Sequence, residues 1–254
     1  MSKKLFWTLS PQGNHVLRDL ETENENFTIQ DYRLGKYDAN NYIWYEMFQF
    51  YSFESNGCDY ERMGCQIKEG DVVLDIGANI GVFAHRAELR GASKVYCFEP
   101  MTPTFECLLK NKGPKTFVYK NAVGSENTFV DFKIHTDYSH IGGATFHEEP
   151  TTGKEIIYEE KALMVNINDV FATIGEKIDF LKIDIEGGEI ELLNEITDEN
   201  LLSVRCLSAE FHEINNEFNE FQKQFWNRVM SLGFNGFCLY HGDGKLRTIS
   251  LWKK

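Results

Sequence analysis

Apolar and polar residues alternate along most of the chain in blocks that predict strands followed by helices. VVLDI (72–76) is a continuous apolar run, which is typical of a strand buried on both faces. The apolar residues from Ile80 to Ala87 then recur at helical spacing, and Gly91 is suited to end that helix. KVYCFEP (94–100) predicts the second strand of the same kind.

The alternation continues toward the C-terminus. Thr102 and Pro103 predict the N-cap and first residue of a second helix, and TFVYKNAVG (116–124) a third strand. The pattern is interrupted over 125–168, where FVDFKI and ALMVNI predict strands on either side of a loop. After residue 168 the alternation resumes. KIDFLKID predicts a strand, EIELLNEI a helix, VRCLSAEFH a strand and EFNEFQKQFWNRVMSLG a helix. Two further strands around Gly242-Asp243-Gly244 predict a hairpin.

Strands that alternate with helices predict an α/β fold with a mostly parallel sheet, helices on both faces and a C-terminal antiparallel hairpin. We expect residues 61–254 to form this main unit. Residues 1–60 are expected to add short strands and an aromatic helix, 42–53, that packs on or covers the main unit. The sequence shows no linker, so we expect a single globular unit of 254 residues.

Composition and charge narrow the classes of function. The net charge of −13 and the lack of a long basic run disfavour a nucleic-acid partner, because such proteins neutralise phosphates with clustered Lys and Arg. No apolar run is long enough to span a bilayer. Six cysteines without a C-x-x-C pair, and no signal-like N-terminus, lead us to predict a cytoplasmic protein.

DIGANIG, from Asp75 to Gly81, is the most informative motif. A strand that ends in a glycine turn and opens a helix points free backbone N–H groups at a ligand. Gly77 and Gly81 allow a close approach, and Asn79 tolerates left-handed backbone geometry. The motif is not the G-x-G-x-x-G of dinucleotide sites, and Asp75 would repel a phosphate but could receive an ammonium group.

Glu99 ends the second strand, where an acidic residue typically accepts hydrogen bonds from ribose hydroxyls. A ligand with an amine, a ribose and no phosphate would suit both Asp75 and Glu99. S-adenosylmethionine fits this description, and its product is S-adenosylhomocysteine. The alternative is that the two carboxylates only cap helices.

DIGANIGVF, FEP, NAVG, LKIDIEGGEIELL and AEFH, in this order and spacing, resemble the FkbM-type methyltransferases over residues 68–212. The resemblance implies a Rossmann-like class I methyltransferase fold and O-methylation of a sugar, glycan or small natural product. It also implies the cofactor-binding residues, namely Asp75, Gly77, Ala78, Asn79, Gly81, Glu99, Pro100, Asn121, Ala122, Asp184 and Glu186. Gly188 departs from the alanine usual in the family.

A hydroxyl acceptor must lose its proton, and the candidate bases are Asp184, Glu210 and His212. Asp184 is the preferred candidate because the strand pattern fixes its place, and His212 is the residue whose ordinary pKa lies near neutrality. With Glu186 these residues could bind a divalent ion, but ion pairing is the simpler explanation, and no metal ligand is expected.

Three alternatives remain open from the sequence. A nucleic-acid methyltransferase would show a basic patch or an N/D-P-P-Y-type motif at the fourth strand, where LKIDIEGGE stands instead. A nicotinamide-dependent dehydrogenase would need G-x-G-x-x-G. A cofactor-binding scaffold without catalysis would retain Asp75 and Glu99, and no residue in the sequence excludes it.

Overall fold

The computed structural model describes residues 60–135, 156–212, 218–241 and 246–253, together with the backbone of five short strands before residue 40. In chain order the strands are β1 Leu5–Leu9, β2 His15–Asp19, β3 Glu25–Thr28, β4 Arg33–Leu34, β5 Tyr37–Asp38, β6 Val72–Ile76, β7 Lys94–Phe98, β8 Thr116–Tyr119, β9 Ala122–Gly124, β10 Thr128–His135, β11 Ile156–Asn166, β12 Phe180–Ile183, β13 Cys206–His212, β14 Asn235–His241 and β15 Leu246–Trp252. The predicted aromatic helix, residues 138–147 of the loop predicted between FVDFKI and ALMVNI, and the hairpin turn 242–244 lie outside the described residues.

A seven-stranded sheet in the order β14-β15-β13-β12-β6-β7-β8 is the largest sheet among the described residues. Neighbouring strands from β13 to β8 run parallel, and β15 is antiparallel to both β13 and β14. Only β15 therefore opposes the direction of the other strands in this sheet. The predicted Rossmann-like sheet with a C-terminal antiparallel hairpin is confirmed.

The helices are α1 Val82–Leu89, α2 Thr102–Asn111, α3 Ile167–Ile174, α4 Glu189–Glu195, α5 Asp198–Ser203 and α6 Phe218–Ser231. They cover both faces of the sheet, as predicted. Val73 of β6 packs with Phe83 of α1 and Leu108 of α2 on one face. Leu74 of the same strand packs in a second cluster, with Leu192 of α4 and side chains of α3, α5 and α6.

The prediction that 116–124 is one strand was wrong. Its first part, β8, is the edge of the main sheet, whereas β9 pairs in parallel with β11, which in turn pairs with β10 in a separate three-stranded sheet. The chain leaves the main sheet at Lys120 and Asn121, and the Asn121 side-chain amide donates to Leu163 O of β11 (3.3 Å). This turn away from the sheet places Asn121 and Ala122 beside the cavity described below.

Two helices were not predicted from the sequence, and two helix starts were misplaced. The Asn166 side chain caps α3 by accepting from Asn168 N, and Thr197 caps α5 in the same way. The N-cap of α2 is Met101 rather than Thr102, and α1 begins at Val82, so Ile80 belongs to the preceding turn. No helix in the described part of the chain has the length and apolarity needed to cross a bilayer.

Candidate active site

The turn after β6 is held in a left-handed conformation by glycine and asparagine. Gly77, Asn79 and Gly81 have φ values of 76°, 49° and 92°. The N–H groups of Gly77 and Ala78 both donate to Phe98 O at 3.0 Å, which ties the turn to the end of β7. A Cβ atom on Gly77 would lie 1.6 Å from Asp184 O, so the turn also packs on the backbone that follows β12.

Glu99 fixes the same turn from β7. Its carboxylate accepts hydrogen bonds from Asn79 N (2.9 Å), Met101 N (3.0 Å) and Thr104 Oγ1 (2.6 Å). Burial raises the pKa of Glu99, although these three donors and Lys182 act in the opposite direction. The residue is thus a buried acceptor at the end of β7, held in one orientation by its own backbone surroundings.

A cavity opens at the carboxyl ends of the parallel strands, where ligands bind in open α/β sheets. The predicted site residues that line it are Gly77, Asn79, Glu99, Pro100, Asn121, Ala122, Asp184 and Glu186. The predicted residues outside the lining are Asp75, Ala78, Gly81, Glu210 and His212. Most of the cofactor-binding set is therefore brought together around one cavity.

Asp75 does not line this cavity. Its side chain is fully buried, and it faces the ammonium of Lys182 at 3.4 Å. The register of β6 and β12 sets Lys182 directly beside Asp75, and both point to the α1 face of the sheet with Val73. Burial raises the pKa of Asp75 more than Lys182 lowers it.

Lys182 links the cofactor turn with the candidate base. Its Nζ donates to Gly77 O (2.7 Å) and lies 3.3 Å from Asp184 Oδ2. The side chain is 2% exposed, yet its pKa is raised, because Asp184 and Asp75 together outweigh the effect of burial. The buried ammonium is therefore charged and interacts with both aspartates.

His212 stands between two carboxylates. Its Nε2 is 3.2 Å from Glu186 Oε2, and its Nδ1 is 3.2 Å from Glu189 Oε1. Burial alone would lower the pKa of His212, but Glu186 and Glu189 raise it well above 6.5. Burial, and secondarily the nearby Asp184, raises the pKa of Glu186 to about 8 even though His212 opposes this.

Ligand atoms of Asp184, Glu186 and His212 all lie within 4.8 Å of one another, a spacing that a metal ion could bridge. In the structure, however, His212 uses both ring nitrogens for Glu186 and Glu189, and Asp184 is paired with Lys182. Ion pairing therefore accounts for the contacts of this cluster, and we assign no metal ligand. Metal independence stays a prediction.

Tyr60 reaches the same region from the segment before β6. Its hydroxyl lies 2.9 Å from Asp184 Oδ2 and 2.5 Å from Glu210 Oε2. Its ring packs edge-on against Phe83 (5.7 Å between centroids), and Lys182 Nζ lies 5.1 Å from the ring centroid. Burial, with a further contribution from Asp184, raises the pKa of Glu210 to about 7.

Residues 75–237, more than half of the chain, match the family model of the methyltransferase FkbM domain. The chain belongs to the FkbM methyltransferase family. The match confirms the resemblance drawn from DIGANIG and LKIDIEGGE. It also supports the prediction that the chain is an S-adenosylmethionine-dependent methyltransferase. Neither the acceptor nor the atom that receives the methyl group follows from family membership.

Similar curated proteins match much of the same chain. The 31-O-demethyl-FK506 methyltransferase FkbM of Streptomyces tacrolimicus is 28% identical over 191 residues, covering 63% of this chain and 73% of the relative. The hexuronic acid methyltransferase AglP of Haloferax volcanii is 30% identical over 152 residues, 58% of each chain. AMB antimetabolite synthetase AmbE of Pseudomonas aeruginosa is 27% identical over 189 residues, but this chain spans only 9% of it.

Solved structures with similar folds have lower identities. An FkbM methyltransferase from Methylobacillus flagellatus is 15% identical, with a TM-score of 0.49, 82% of this chain covered and 47% of that one. Fibrillarin from Aeropyrum pernix with bound S-adenosylmethionine is 12% identical, with a TM-score of 0.49 and coverage of 97% and 93%.

Three residues of this FkbM-type site, Tyr60, Lys182 and Glu189, were not predicted from the sequence. Lys182 offered a signal, because a lysine inside the apolar strand FLKI is buried and must then be paired. Glu189 stands in the recognised motif, where its carboxylate also accepts from the N–H groups of Ile185 (3.1 Å) and Gly187 (3.0 Å). Tyr60 precedes the motifs, and nothing in its own segment indicated a role.

Proposed function

We propose that this chain transfers the methyl group of S-adenosylmethionine to a hydroxyl of a sugar, glycan or small natural product. Family membership supports methyl transfer. Preference for oxygen is supported by the names of the Streptomyces and Haloferax relatives, one a 31-O-demethyl compound methyltransferase and one a hexuronic acid methyltransferase. The observation that carries the proposal is the cavity bounded by Glu99 on one side and Asp184 and Glu186 on another.

The polar atoms of the cavity fit such a cofactor. The buried Oδ1 of Asn79 has no hydrogen-bond partner among the described residues, and Asn79 lines the cavity. Glu99 Oε1 accepts two hydrogen bonds but Oε2 accepts only one in this part of the chain. Since a carboxylate offers about four acceptor positions, one remains for a hydroxyl donor.

The proposal assigns roles by position. The turn at Gly77 and Asn79 would hold the methionine end, Glu99 the ribose, and Asn121 with Ala122 the adenine. Asp75 would support the turn through Lys182 rather than touch the ligand. When bound, the cofactor supplies an electrophilic methyl group on a sulfonium.

The chain's own residues position the acceptor and receive its proton. Much of the rate of an in-line displacement comes from holding the reacting atoms about 3–3.5 Å apart. Asp184 is the favoured base: burial would raise its pKa, but Lys182 and His212 lower it, so it is ionised at neutral pH. His212, whose pKa is raised well above 6.5 by Glu186 and Glu189, is held as a cation and is therefore a poor base.

Calorimetry with S-adenosylhomocysteine tests the cofactor site first. We expect micromolar binding by the wild-type protein, no binding of NAD, and at least about tenfold weaker binding by Glu99→Ala, because one charge-assisted hydrogen bond contributes roughly 1.5–3 kcal/mol. Glu176→Gln is the control, since this carboxylate also accepts from a side-chain hydroxyl, that of Tyr96, but does not line the cavity. Folded wild-type protein that fails to bind S-adenosylhomocysteine would refute the proposal.

The acceptor atom requires a separate experiment. The protein is incubated with methyl-labelled S-adenosylmethionine and a panel of sugars, glycans and macrolide alcohols, and the product is mapped by NMR. We expect the label in an O-methyl ether. Label on nitrogen or carbon would contradict the oxygen preference, and binding without transfer to any hydroxyl would favour the non-catalytic scaffold.

A further inference from the structure

The Tyr60 hydroxyl lies between two carboxylates and has a single hydrogen to donate. Its oxygen is within hydrogen-bond distance of both Asp184 Oδ2 (2.9 Å) and Glu210 Oε2 (2.5 Å). An ionised carboxylate only accepts hydrogen bonds. If both acids were ionised, one of these short contacts would join two oxygens without a hydrogen between them. Both contacts are satisfied at once when one of the two acids carries a proton.

The surroundings decide which acid carries it. Asp184 Oδ2 lies 3.3 Å from the buried ammonium of Lys182, which favours the ionised form. Glu210 is 7% exposed, and in the described part of the chain no ion pair gives it a cation. The proton belongs on Glu210, whose O–H then donates to Tyr60 while Tyr60 donates to Asp184.

We propose that Tyr60 and Glu210 form a proton relay at the active site, in which Asp184, Tyr60 and Glu210 are joined in one hydrogen-bonded chain that carries the released proton. This inference rests on the proposed function for its purpose, because methylation of a hydroxyl releases one proton. Tyr60 acts as a relay and Glu210 as the final acceptor. Neither is needed to touch the cofactor.

The released proton reaches Glu210 through three transfers. Before the reaction, Glu210 and Asp184 are ionised and Tyr60 donates to Glu210. As the acceptor oxygen forms its bond to the methyl carbon and the sulfur–carbon bond breaks, the hydroxyl proton passes to Asp184. Asp184 then transfers this proton to the Tyr60 oxygen, and Tyr60 transfers its hydroxyl proton to Glu210. With Glu210 protonated, the hydrogen bonds of the three groups run in the directions expected after transfer.

The relay compensates for the low basicity of Asp184. The pKa of Asp184 is lowered, mainly because Lys182 outweighs its burial, so it holds a proton poorly. Burial raises the pKa of Glu210 to about 7, which is close to the value best suited to a base at neutral pH. The titratable and charged groups that face Glu210 are Asp184, His212, Tyr60, Lys182 and, from the turn after β12, Glu186.

Carboxyl-carbon NMR of the full chain, with labelled Asp and Glu, tests the proposal without an acceptor. In the wild-type protein we expect Glu210 to titrate near pH 7, identified by the loss of that signal in Glu210→Gln. Tyr60→Phe should raise this midpoint by about one to two pH units, the size expected when a carboxylate loses one charge-assisted hydrogen bond. The Glu186 signal, expected near pH 8, has to be assigned as well, because Glu210 contributes to its raised pKa.

Tyr96→Phe is the matched control. The Tyr96 hydroxyl donates to Glu176 Oε1 (2.5 Å), and neither residue belongs to the relay, so this variant should leave the Glu210 midpoint unchanged. A neutral-range signal that survives in Glu210→Gln and is not Glu186 would overturn the placement of the proton. If the Tyr60→Phe variant does not fold, the presence or absence of the neutral-range signal in Glu210→Gln still tests whether Glu210 carries the proton. If the wild-type protein does not bind S-adenosylhomocysteine but Glu210 titrates as expected, the proposed function is refuted and the relay is not.

Discussion

Gly77→Ala is expected to destabilise the protein by roughly 2–5 kcal/mol and to abolish binding of S-adenosylhomocysteine. The backbone at Gly77 has φ of 76°, which costs a residue with a side chain about 1–2 kcal/mol. The added Cβ would also lie 1.6 Å from the carbonyl oxygen of Asp184. The backbone at Gly77 and the backbone at Asp184 cannot move apart to relieve this contact without separating the cofactor turn from the end of β12.

Gly70→Ala separates the two causes. Gly70 has a similar φ of 87°, but no atom lies within 4 Å of the position that an added Cβ would occupy, so only the conformational cost applies there. Urea unfolding and calorimetry of the two variants should therefore differ, with Gly70→Ala losing about 1–2 kcal/mol and binding normally. Equal losses in both variants would show that the contact between Gly77 and Asp184 is unimportant.

The sequence predicted those parts of the fold that depend on local pattern. The apolar run of β6, the glycines that follow it and the helical spacing of α1 are all contained within about twenty residues. The strand-end rule for parallel sheets then placed Glu99 and Asp184 at one cavity, and the structure brings both there. Asp75 was expected at the same cavity, but the alternation of β6 turns it toward the α1 face.

Elements that depend on distant partners could not be predicted in the same way. β9 leaves the main sheet because Ala122 pairs with Met164, forty-two positions later, and no local signal in 116–124 marks this change. Tyr60 meets Asp184 and Glu210 across separations of 124 and 150 residues. A contact of this kind appears only when the strands are arranged, so sequence pattern alone did not reveal the relay.

Lys182→Met is expected to destabilise the protein by roughly 3–5 kcal/mol, the usual cost of removing one partner of a buried ion pair. Asp75 and Asp184 would then remain on the α1 face without the ammonium, and Gly77 O would lose its donor. Lys94→Met is the matched control. Lys94 pairs with Glu176 at 2.8 Å, but its side chain is 43% exposed, so at most about 1 kcal/mol should be lost.

The pH dependence distinguishes lost charge from lost packing. Without Lys182, the pKa of Asp184 in the folded protein rises above its unfolded value, so the folded state binds more protons and stability falls as pH increases. The deficit of Lys182→Met relative to wild type should thus be greatest near neutral pH and shrink toward acid pH, as the aspartates become protonated. Adding Asp75→Asn should recover part of the loss. Urea unfolding at several pH values measures this, and a deficit that stays constant with pH would show that Lys182 acts through packing alone.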